Sequence, residues 1–383
     1  MTVDRAPVVS AEVLEVALPL LRPFVTGFGV TDTRRTVLVH LIDDSGHEGW
    51  GEAPALDHPF YLPETTASTY LMAAEFALPL ALDAPGLEPA VVADAMSRIR
   101  GNTFARAGVE EAFWSLQAAA EATTLGTLMG GESTHVPVGE SVSIAQTVGE
   151  TLEEVGLRLR EGYQRIKLKI RPGWDVEPVA AVRAAFGPEV MLQVDANAAY
   201  SLDDVDALRR LDEYDLACIE QPLAWDALLE HAELQRSLST PVCLDESLRS
   251  FDDVRRALDI GACRSVNLKP GRVGGLTASL RVAELCRSRG VALWCGGMLE
   301  SGIGRAGNLA LCSVAGFTEP ADMSPASVLF EWDLVDPTFE VGPDGTIAVP
   351  DAPGLGFPVR LDRVTAQTLR STVVREPGSS RGA

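Results

Sequence analysis

Short apolar runs alternate with amphipathic segments through the second half of the chain. Runs rich in leucine and β-branched residues cover residues 136–143, 165–170, 190–194, 217–220, 241–244, 265–268 and 291–295, and a last one lies near Phe317. Between them, apolar residues follow the three- and four-residue spacing of helices, as at residues 146–160, 174–185 and 276–289. This alternation predicts an α/β fold with parallel strands, and about eight strands favour a closed (β/α) barrel of the TIM type over an open sheet.

The first part of the chain has a different pattern. Apolar runs at residues 8–18 and 35–42, followed by turn residues at 43–46, predict a meander of strands, and helical spacing then covers residues 62–82, 87–100 and 105–122. We therefore expect an α+β domain over residues 1–131 and the barrel over 136–325. Residues 326–383 should return to the first domain, with disorder at 377–383.

A glycine- and aromatic-rich segment lies between the first two predicted strands, near residues 22–30. It contains Phe24 and Phe28 together with two glycines and shows little alternation. Glycines suit a mobile loop and aromatics suit closure over an apolar group, so we interpret the segment as a candidate lid. A plain surface loop is the alternative.

A series of charged residues follows the apolar runs of the barrel. From Lys169 through Asp195, Glu220 and Asp245 to Lys269, the steps are 26, 25, 25 and 24 residues. One strand, one helix and two short loops need roughly that length. Each charged residue therefore ends a predicted strand, at the face of the barrel where catalytic groups are found.

The three acids of this series predict a metal site. Carboxylates that converge on one point repel one another unless a cation lies between them. Oxygen ligands suit a magnesium-like ion, and the cysteines, which occur singly and never as a Cys-x-x-Cys pair, do not have the spacing of a zinc site. A single acid at a strand end is more often a helix cap or part of a surface ion pair, but three in register favour the metal.

The lysines predict proton transfer beside that metal. Strand alternation places Lys167 and Lys169 on one face, where two like charges disfavour each other's protonated form, so that one can act as a base near neutral pH. Lys269 should approach from the opposite side. A metal that holds a substrate carboxylate also stabilises the enediolate that forms when the neighbouring proton leaves. Solvent-facing lysines are the alternative.

A glycine motif offers a competing interpretation. Gly302, Gly304 and Gly307 match the G-x-G-x-x-G pattern of dinucleotide-binding proteins, which would make the protein an oxidoreductase. The motif lies in the seventh unit of a predicted barrel and not in the first unit of an open sheet, so it is weak evidence for a nucleotide. We expect instead that residues 296–307, and similarly 271–275, present backbone amides and a helix amino end to an anionic part of the substrate.

Composition narrows the choice of partners and compartment. The chain has 383 residues, 46% of them hydrophobic, and a formal net charge of -22, which argues against nucleic acid or an anionic membrane as partner. It shows neither an apolar run of about 18 residues nor a basic leader, so we expect a cytoplasmic protein. Six cysteines occur singly, which is typical of buried free thiols.

Six motifs of the barrel contain the charged residues and the glycine-rich loops. They are Arg-Ile-Lys-Leu-Lys-Ile at 165–170, Gln-Val-Asp-Ala-Asn at 193–197, Ile-Glu-Gln-Pro at 219–222, Cys-Leu-Asp-Glu-Ser at 243–247, Asn-Leu-Lys-Pro-Gly-Arg-Val-Gly-Gly at 267–275 and Trp-Cys-Gly-Gly-Met-Leu-Glu at 294–300. These motifs resemble those of the enolase superfamily, in its muconate-lactonizing-type subgroup and the o-succinylbenzoate synthase and N-succinylamino acid racemase branch. The resemblance covers almost the whole chain.

The resemblance implies a modified barrel with a capping domain, which the last segment of the chain completes. Asp195, Glu220 and Asp245 would bind Mg²⁺, with Mn²⁺ as a substitute and no nucleotide cofactor. Lys169 and Lys269 would be the acid/base pair, and Lys167 would perturb Lys169. Relatives of this kind act on small carboxylates and form homo-oligomers.

Two reactions follow from the same resemblance. In the synthase reaction of menaquinone synthesis, the lysine matching Lys169 removes a proton and aids departure of hydroxide, while the lysine matching Lys269 stabilises the enediolate. In racemisation of N-succinylamino acids, each lysine serves one face of the α-carbon, and Arg272 resembles the form found in racemases. The substrate pocket would contain Phe24, Phe28, Ser141, Asn197, Arg272, Gly297, Met298, Leu299 and Met323.

Three departures from the family pattern leave the substrate open. Glu140 stands beside Ser141 where a small apolar residue is usual, and Ser301 and Met323 replace other residues. A related cycloisomerase or dipeptide epimerase is the nearest alternative. A catalytically silent barrel that binds an acidic metabolite is the alternative from another class.

Overall fold

The protein was analysed as a computed structural model that describes residues 6–26 and 29–376. Among these residues an antiparallel sheet with its helices packs on a parallel barrel. No helix in this part of the chain is long and apolar enough to cross a membrane. The expected disorder of residues 377–383 concerns residues outside this range.

The antiparallel sheet combines the first three strands with the last one. Its strands are β1 (Val8–Thr26), β2 (Gly29–Asp43), β3 (Glu48–Ala53) and β13 (Thr368–Arg375), in the order β13-β1-β2-β3. The Asp43 carboxylate closes the predicted turn by accepting hydrogen bonds from the amides of Ser45 and His47 at 2.9 and 2.8 Å. Because β13 pairs with β1, the end of the chain adds an edge strand to the sheet.

The predicted lid is part of a hairpin in the described residues. Phe24 pairs with Thr31 and Thr26 with Gly29, so β1 and β2 continue to the edges of residues 27–28 instead of opening into a loop. Phe28 itself lies outside the described residues, as does the side chain of Phe24. Closure over a substrate stays a prediction.

Helices cover one face of this sheet. They are α1 (Thr66–Met72), α2 (Leu78–Leu82), α3 (Pro89–Ala95), α4 (Thr103–Ala120) and α5 (Leu125–Leu128), and a π turn joins α1 to α2. The first helix begins four residues later than predicted because Thr65 caps it. The Thr65 hydroxyl accepts from the Ser68 amide at 3.2 Å, and the Ser68 hydroxyl accepts from the Thr65 amide at 2.9 Å.

Eight parallel strands form a nearly closed barrel, as the alternation predicted. They are β4 (His135–Val142), β5 (Arg165–Lys169), β6 (Met191–Asp195), β7 (Ile219–Glu220), β8 (Val242–Leu244), β9 (Ser265–Leu268), β10 (Ala292–Cys295) and β11 (Ala321–Asp322), in the order β10-β9-β8-β7-β6-β5-β4-β11. A ninth strand, β12 (Thr346–Ala348), pairs antiparallel with β4. The predicted (β/α) fold class is confirmed.

Helices surround the barrel and occupy the final segment. They are α6 (Val148–Arg160), α7 (Val176–Phe186), α8 (Val205–Arg209), α9 (Leu228–Ser237), α10 (Phe251–Asp259), α11 (Pro270–Val273), α12 (Leu276–Arg289), α13 (Gly302–Cys312), α14 (Ala326–Leu329) and α15 (Leu361–Gln367). The domain boundaries at residues 131, 136 and 325 stay a prediction.

The last barrel strand lies later than the sequence suggested. Phe317 is in the loop after α13, where the amides of Thr318 and Glu319 donate to the Leu293 carbonyl at 2.9 and 3.2 Å. The chain therefore bonds to β10 before it reaches the position of β11. All six cysteines are buried and free, which confirms the prediction for the thiols.

Close approach of β3 to α4 holds the sheet against its longest helix. A Cβ atom on Gly51 would lie 2.1 Å from the Gly108 carbonyl oxygen and 2.6 Å from the Ala112 nitrogen. Both are backbone atoms, so relief would require the strand or the helix to move. We expect Gly51→Ala to lower the free energy of unfolding by about 2 kcal/mol, measured by chemical denaturation.

Gly149→Ala is the matched control for this substitution. Gly149 is an exposed residue in the first turn of α6, and its nearest neighbour to an added Cβ is 3.8 Å away. Alanine favours helix there, so the stability should stay equal or rise slightly. Equal stability of both variants would contradict the close approach of β3 and α4.

Candidate active site

Strand alternation places the charged side chains inside the barrel. On β5, Lys167 pairs with Gln193 and Lys169 with Asp195, while Leu168 between them belongs to the apolar core. Side chains of alternate residues point to opposite faces of a strand. Both lysines therefore share the inner face, as the sequence predicted.

Lys169 contacts the end of the next strand. Its Nζ atom lies 2.5 Å from Asp195 Oδ2 and 2.8 Å from Asn197 Oδ1. The Asn197 amide donates to Asp195 Oδ1 at 2.9 Å, which orients that carboxylate. The Lys169 side chain is 30% exposed, against 5% for Lys167, so it is the more accessible of the two amines.

Carboxylates surround Lys167. Its Nζ atom pairs with Asp322 and lies 3.2 Å from Glu220 Oε2 and 3.9 Å from Asp195 Oδ2. Burial alone would lower the pKa of Lys167, but the three carboxylates outweigh it and the pKa is raised. The repulsion that we expected between neighbouring lysines is thus offset by acids, and Lys167 is a fixed cation.

Asp322 was missed by the sequence analysis. It ends β11, pairs with Gly139 of β4, and binds both Lys167 and the fully buried Arg165. It follows Lys269 by 53 residues, which is roughly two more strand-helix units. Extending the charged series by that spacing would have found it.

The opposite side of the barrel holds Lys269 and Arg272. Lys269 Nζ lies 3.0 Å from Asp245 Oδ2, and the Arg272 guanidinium binds the other oxygen of the same carboxylate. Both cations also donate to the Tyr61 hydroxyl, at 2.9 and 2.8 Å. Burial would lower the pKa of Lys269, but Tyr61 and the neighbouring acid Glu246 raise it.

Tyr61 was also missed, because it belongs to the first domain. It lies between β3 and α1, and its hydroxyl can donate to Asp245 Oδ1 or Oδ2 at 3.4 or 3.3 Å. No periodicity connects a loop of one domain with a strand end of another. The only local signal is an aromatic pair between two prolines in a polar segment, at residues 59–63.

Glu220 and Glu246 complete the acidic part of the site. Glu220 accepts from Asn267 Nδ2 at 2.6 Å and from Gln193 Nε2 at 3.2 Å. Glu246 accepts from Asn197 at 3.3 Å, but its buried Oε2 atom has no hydrogen-bond partner in the described part of the chain. Burial, together with the charge of Asp195, raises the pKa of Glu246 to about 7.

The acids fit a hard divalent cation in their chemistry. Asp195, Glu220 and Asp245 end three consecutive strands and are at most 2% exposed. Within residues 6–26 and 29–376, no group of three histidine, cysteine, aspartate or glutamate side chains is already arranged around a metal position. Each of the three carboxylates instead contacts a lysine or arginine. The donors are carboxylate oxygens, and the unpartnered oxygen of Glu246 beside them is a further acceptor.

The loop after β10 lies beside Lys269. A Cβ atom on Gly296 would be 2.7 Å from Lys269 Cε, and one on Gly297 would be 2.9 Å from the Asp322 carbonyl oxygen. Met298 packs in a small apolar cluster with Leu62 and Phe104 of the first domain. The backbone at Gly297 and Met298 therefore borders the barrel mouth.

Register separates Ser141 from Glu140. Ser141 pairs with Lys167 and shares its inner face, whereas Glu140 pairs with the core residue Ile166 and so faces away from the site. There Glu140 accepts a hydrogen bond from the Ser324 hydroxyl at 3.0 Å. The Glu140 carboxylate therefore adds no charge to the inner face that holds Lys167.

Met323 follows the last residue of β11 and has apolar neighbours. It is 3% exposed and lies in an apolar cluster with Val138 and Phe339. Its place in the substrate pocket stays a prediction.

The glycine motif has a packing function and does not face the site. Gly304 and Gly307 lie on buried α13, where added Cβ atoms would meet Glu52 and Glu300, or Glu111. The amides of Ser301 and Gly304 donate to Glu52, and the Gly302 amide donates to Asp333. Protein carboxylates thus occupy the helix amino end that we had expected to meet a substrate anion.

The loop at residues 271–275 shows the same correction. The amides of Leu276 and Thr277, at the start of α12, donate to Glu110 of the first domain at 2.6 and 2.9 Å. A Cβ atom on Gly275 would lie 2.0 Å from a Glu110 oxygen. Gly275 thus allows the two domains to approach each other. The amides of Leu276 and Thr277 are both bonded to Glu110 and are not available to a ligand.

Two family descriptions match the chain. Residues 8–130 match the N-terminal domain of mandelate racemase and muconate lactonizing enzyme, and residues 150–363 match the enolase C-terminal domain-like family. A member of the enolase superfamily from Listeria innocua has the same fold, with a TM-score of 0.94 and 38% identity over 96% of this chain and 99% of its own.

Two relatives of known activity are similar along nearly the whole chain. An o-succinylbenzoate synthase from Geobacillus stearothermophilus is 45% identical over 351 residues, which are 92% of this chain and 93% of the relative. An N-succinylamino acid racemase from Thermus thermophilus is 46% identical over 360 residues, 94% of this chain and 97% of the relative.

Removal of the Asp322 charge should destabilise the barrel. Arg165 is fully buried, and two of its nitrogens already lack hydrogen-bond partners among the described residues. Asp322→Asn would leave the charge of Arg165 unpaired, so we expect a loss of about 3 kcal/mol in the free energy of unfolding, measured in urea.

Glu284→Gln is the control for this ion pair. Glu284 pairs with Arg287 on the surface of α12, where both side chains are more than half exposed. Solvent screens such pairs, so the unfolding midpoint should not change. A midpoint equally unaffected in Asp322→Asn would refute the structural role of the buried pair.

Proposed function

Since this chain belongs to the enolase superfamily, we propose that it removes the proton next to the carboxylate of an N-succinylamino acid or of the o-succinylbenzoate precursor. Enzymes of this superfamily depend on magnesium in general and pass through enediolates on small carboxylate substrates. Synthase and racemase relatives are similar to this chain to almost the same degree, which supports both reactions.

The distribution of lysine carries the proposal. The whole chain has three lysines, Lys167, Lys169 and Lys269, although lysine and arginine together number 32. All three contact the carboxylates at the barrel mouth. Arginine cannot be deprotonated in proteins, whereas lysine can exchange a proton. The chain thus has lysine only where we propose proton transfer.

The positions of Lys169 and Lys269 support proton transfer on two sides of a substrate. Lys169 ends β5 and Lys269 directly follows β9, and β6, β7 and β8 lie between these two strands in the sheet. In a barrel of eight strands, these two positions lie across the mouth from each other. We propose that in racemisation one amine takes the α-proton from one face and the other returns a proton to the opposite face.

In dehydration the same groups would have unequal roles. Lys169 is the more exposed amine, so it would remove the proton and then protonate the departing hydroxide. Lys269, held between Asp245 and Tyr61, would stabilise the negative charge of the intermediate as a fixed cation. Lys167 would be a fixed cation beside Lys169, paired with the surrounding carboxylates.

We assign the cation site to Asp195, Glu220 and Asp245, with Mg²⁺ as the ion and Mn²⁺ as a substitute. Their carboxylate oxygens have the chemistry that Mg²⁺ prefers. A divalent cation bound there would offset the charge that develops on the substrate carboxylate. Cytoplasmic location and assembly into a homo-oligomer stay predictions from the sequence.

Proton exchange in deuterated water tests the two-lysine assignment. With Mg²⁺, the protein should exchange the α-proton of both enantiomers of an N-succinylamino acid. Lys169→Ala and Lys269→Ala should each slow racemisation by about 10³-fold, because racemisation needs both amines. Each variant should keep exchange for one enantiomer only, followed by NMR.

The two variants should differ in which enantiomer they retain. Loss of exchange for the same enantiomer in both variants would contradict placement on opposite faces. Unchanged racemisation in either variant would exclude that lysine. Circular dichroism of the variants serves as the control for folding.

Removal of divalent cations should abolish turnover reversibly. After chelation, exchange should fall by at least about 10²-fold, and added Mg²⁺ or Mn²⁺ should restore it, whereas Na⁺ at equal ionic strength should not. The thermal midpoint should rise with Mg²⁺ concentration because the ion binds only the folded state. Full activity in excess chelator would contradict the metal site.

A further inference from the structure

The loop at residues 296–301 is a wall of the barrel mouth with a strained backbone. It begins beside Lys269, as the close approach of Gly296 shows. Leu299 has a φ of 58°, in the left-handed region that leucine rarely adopts. Such a conformation is unfavourable for a residue with a side chain and persists only where the surroundings hold it.

Arg34 and Glu52 of the first domain hold this loop from outside the barrel. Arg34 Nε, on β2, donates to the Leu299 carbonyl at 3.2 Å, and its Nη1 donates to the Ala55 carbonyl at 2.7 Å. Glu52, on β3, accepts from the Ser301 amide at 3.0 Å and from the Ser301 hydroxyl at 2.6 Å. Both side chains are 2% exposed.

Glu52 is itself firmly placed. It also accepts from the Gly304 amide at 3.1 Å and from the Thr36 hydroxyl at 2.9 Å, while its own amide donates to Glu111 at 2.9 Å. Its carboxylate thereby connects the antiparallel sheet to the start of α13. The bonds of Ser301 to Glu52 therefore tie the end of the loop to this sheet.

We propose that Glu52, together with Arg34, is a positioning residue that sets the location of the loop backbone against the bound substrate. The proposal rests on the proposed function of the barrel mouth. Their hydrogen bonds go to the loop, to α13 and to neighbouring residues of the first domain, and not to the lysines or carboxylates of the barrel mouth. Arg34 and Glu52 thereby affect the affinity for an N-acylamino acid and its orientation in the site.

The experiment compares the kinetics of Glu52→Ala and Glu52→Gln with the wild-type protein. Alanine removes both bonds of Glu52 to Ser301, so KM for an N-succinylamino acid should rise about tenfold while kcat changes by less than about threefold. Glutamine can still accept from the Ser301 and Gly304 amides with its oxygen, and its NH₂ group can donate to Thr36. It should therefore restore KM to within about threefold of the wild-type value.

Glu110→Ala is the matched control. Glu110 is a fully buried glutamate of the first domain that binds the start of a barrel helix, as Glu52 does, but its side chain bonds to the start of α12 and to Trp114 of α4, and not to the loop. Its loss should lower the thermal midpoint as much as Glu52→Ala while KM stays at the wild-type value.

Each outcome separates the two proposals. A wild-type protein without exchange on any N-acylamino acid would refute the proposed function. An active wild type with an unchanged KM in Glu52→Ala would refute the positioning role alone. An equal rise of KM in Glu110→Ala, or no rescue by glutamine, would also refute it, because a general loosening of the domains would then explain the change.

Discussion

Neutralisation of buried charge governs the interior of this barrel. An unpaired charge away from water costs several kcal/mol, so each cation inside must have an acid within reach. Asp195 and Asp322 serve the cations of β5, and Asp245 serves those after β9. This pairing requires that acids and lysines lie at the ends of neighbouring strands and at the same level along the barrel axis. The same arrangement brings proton-transferring amines and potential metal ligands to one place, so stability and chemistry depend on a common set of contacts.

The regular part of this arrangement was predictable from the sequence. Steps of roughly one strand-helix unit placed the acids and lysines, because every unit of a barrel repeats the same geometry. Asp322 was missed because β10, the strand between Lys269 and β11, has no charged residue at its end, so the series stopped at Lys269. Tyr61 was missed for another reason. It reaches the site because the two domains pack together, and the local sequence does not predict which loop of one domain will contact which strand end of the other.

Glycine was the residue type that sequence analysis interpreted wrongly. A glycine near a helix start can allow approach of a ligand or approach of another part of the protein. Here Gly275 and Gly304 leave room for Glu110 and Glu52, which bind the first amides of two barrel helices. The acids that exclude a ligand from these helix ends come from more than a hundred residues away. The domain interface, and not the active site, accounts for the pattern.

The restriction of lysine to the barrel mouth has a practical consequence. Arginine supplies the cations of the outer ion pairs, such as those of Arg255 and Arg360, so the outer surface has no lysine amine for coupling. Amine-directed cross-linkers, dyes and coupling resins that react with side chains will find their targets only inside the site. Lys169, the most exposed of the three, is the first amine that they reach. Attachment through carboxylates or engineered cysteines is therefore the route to an immobilised protein that keeps its active site unmodified.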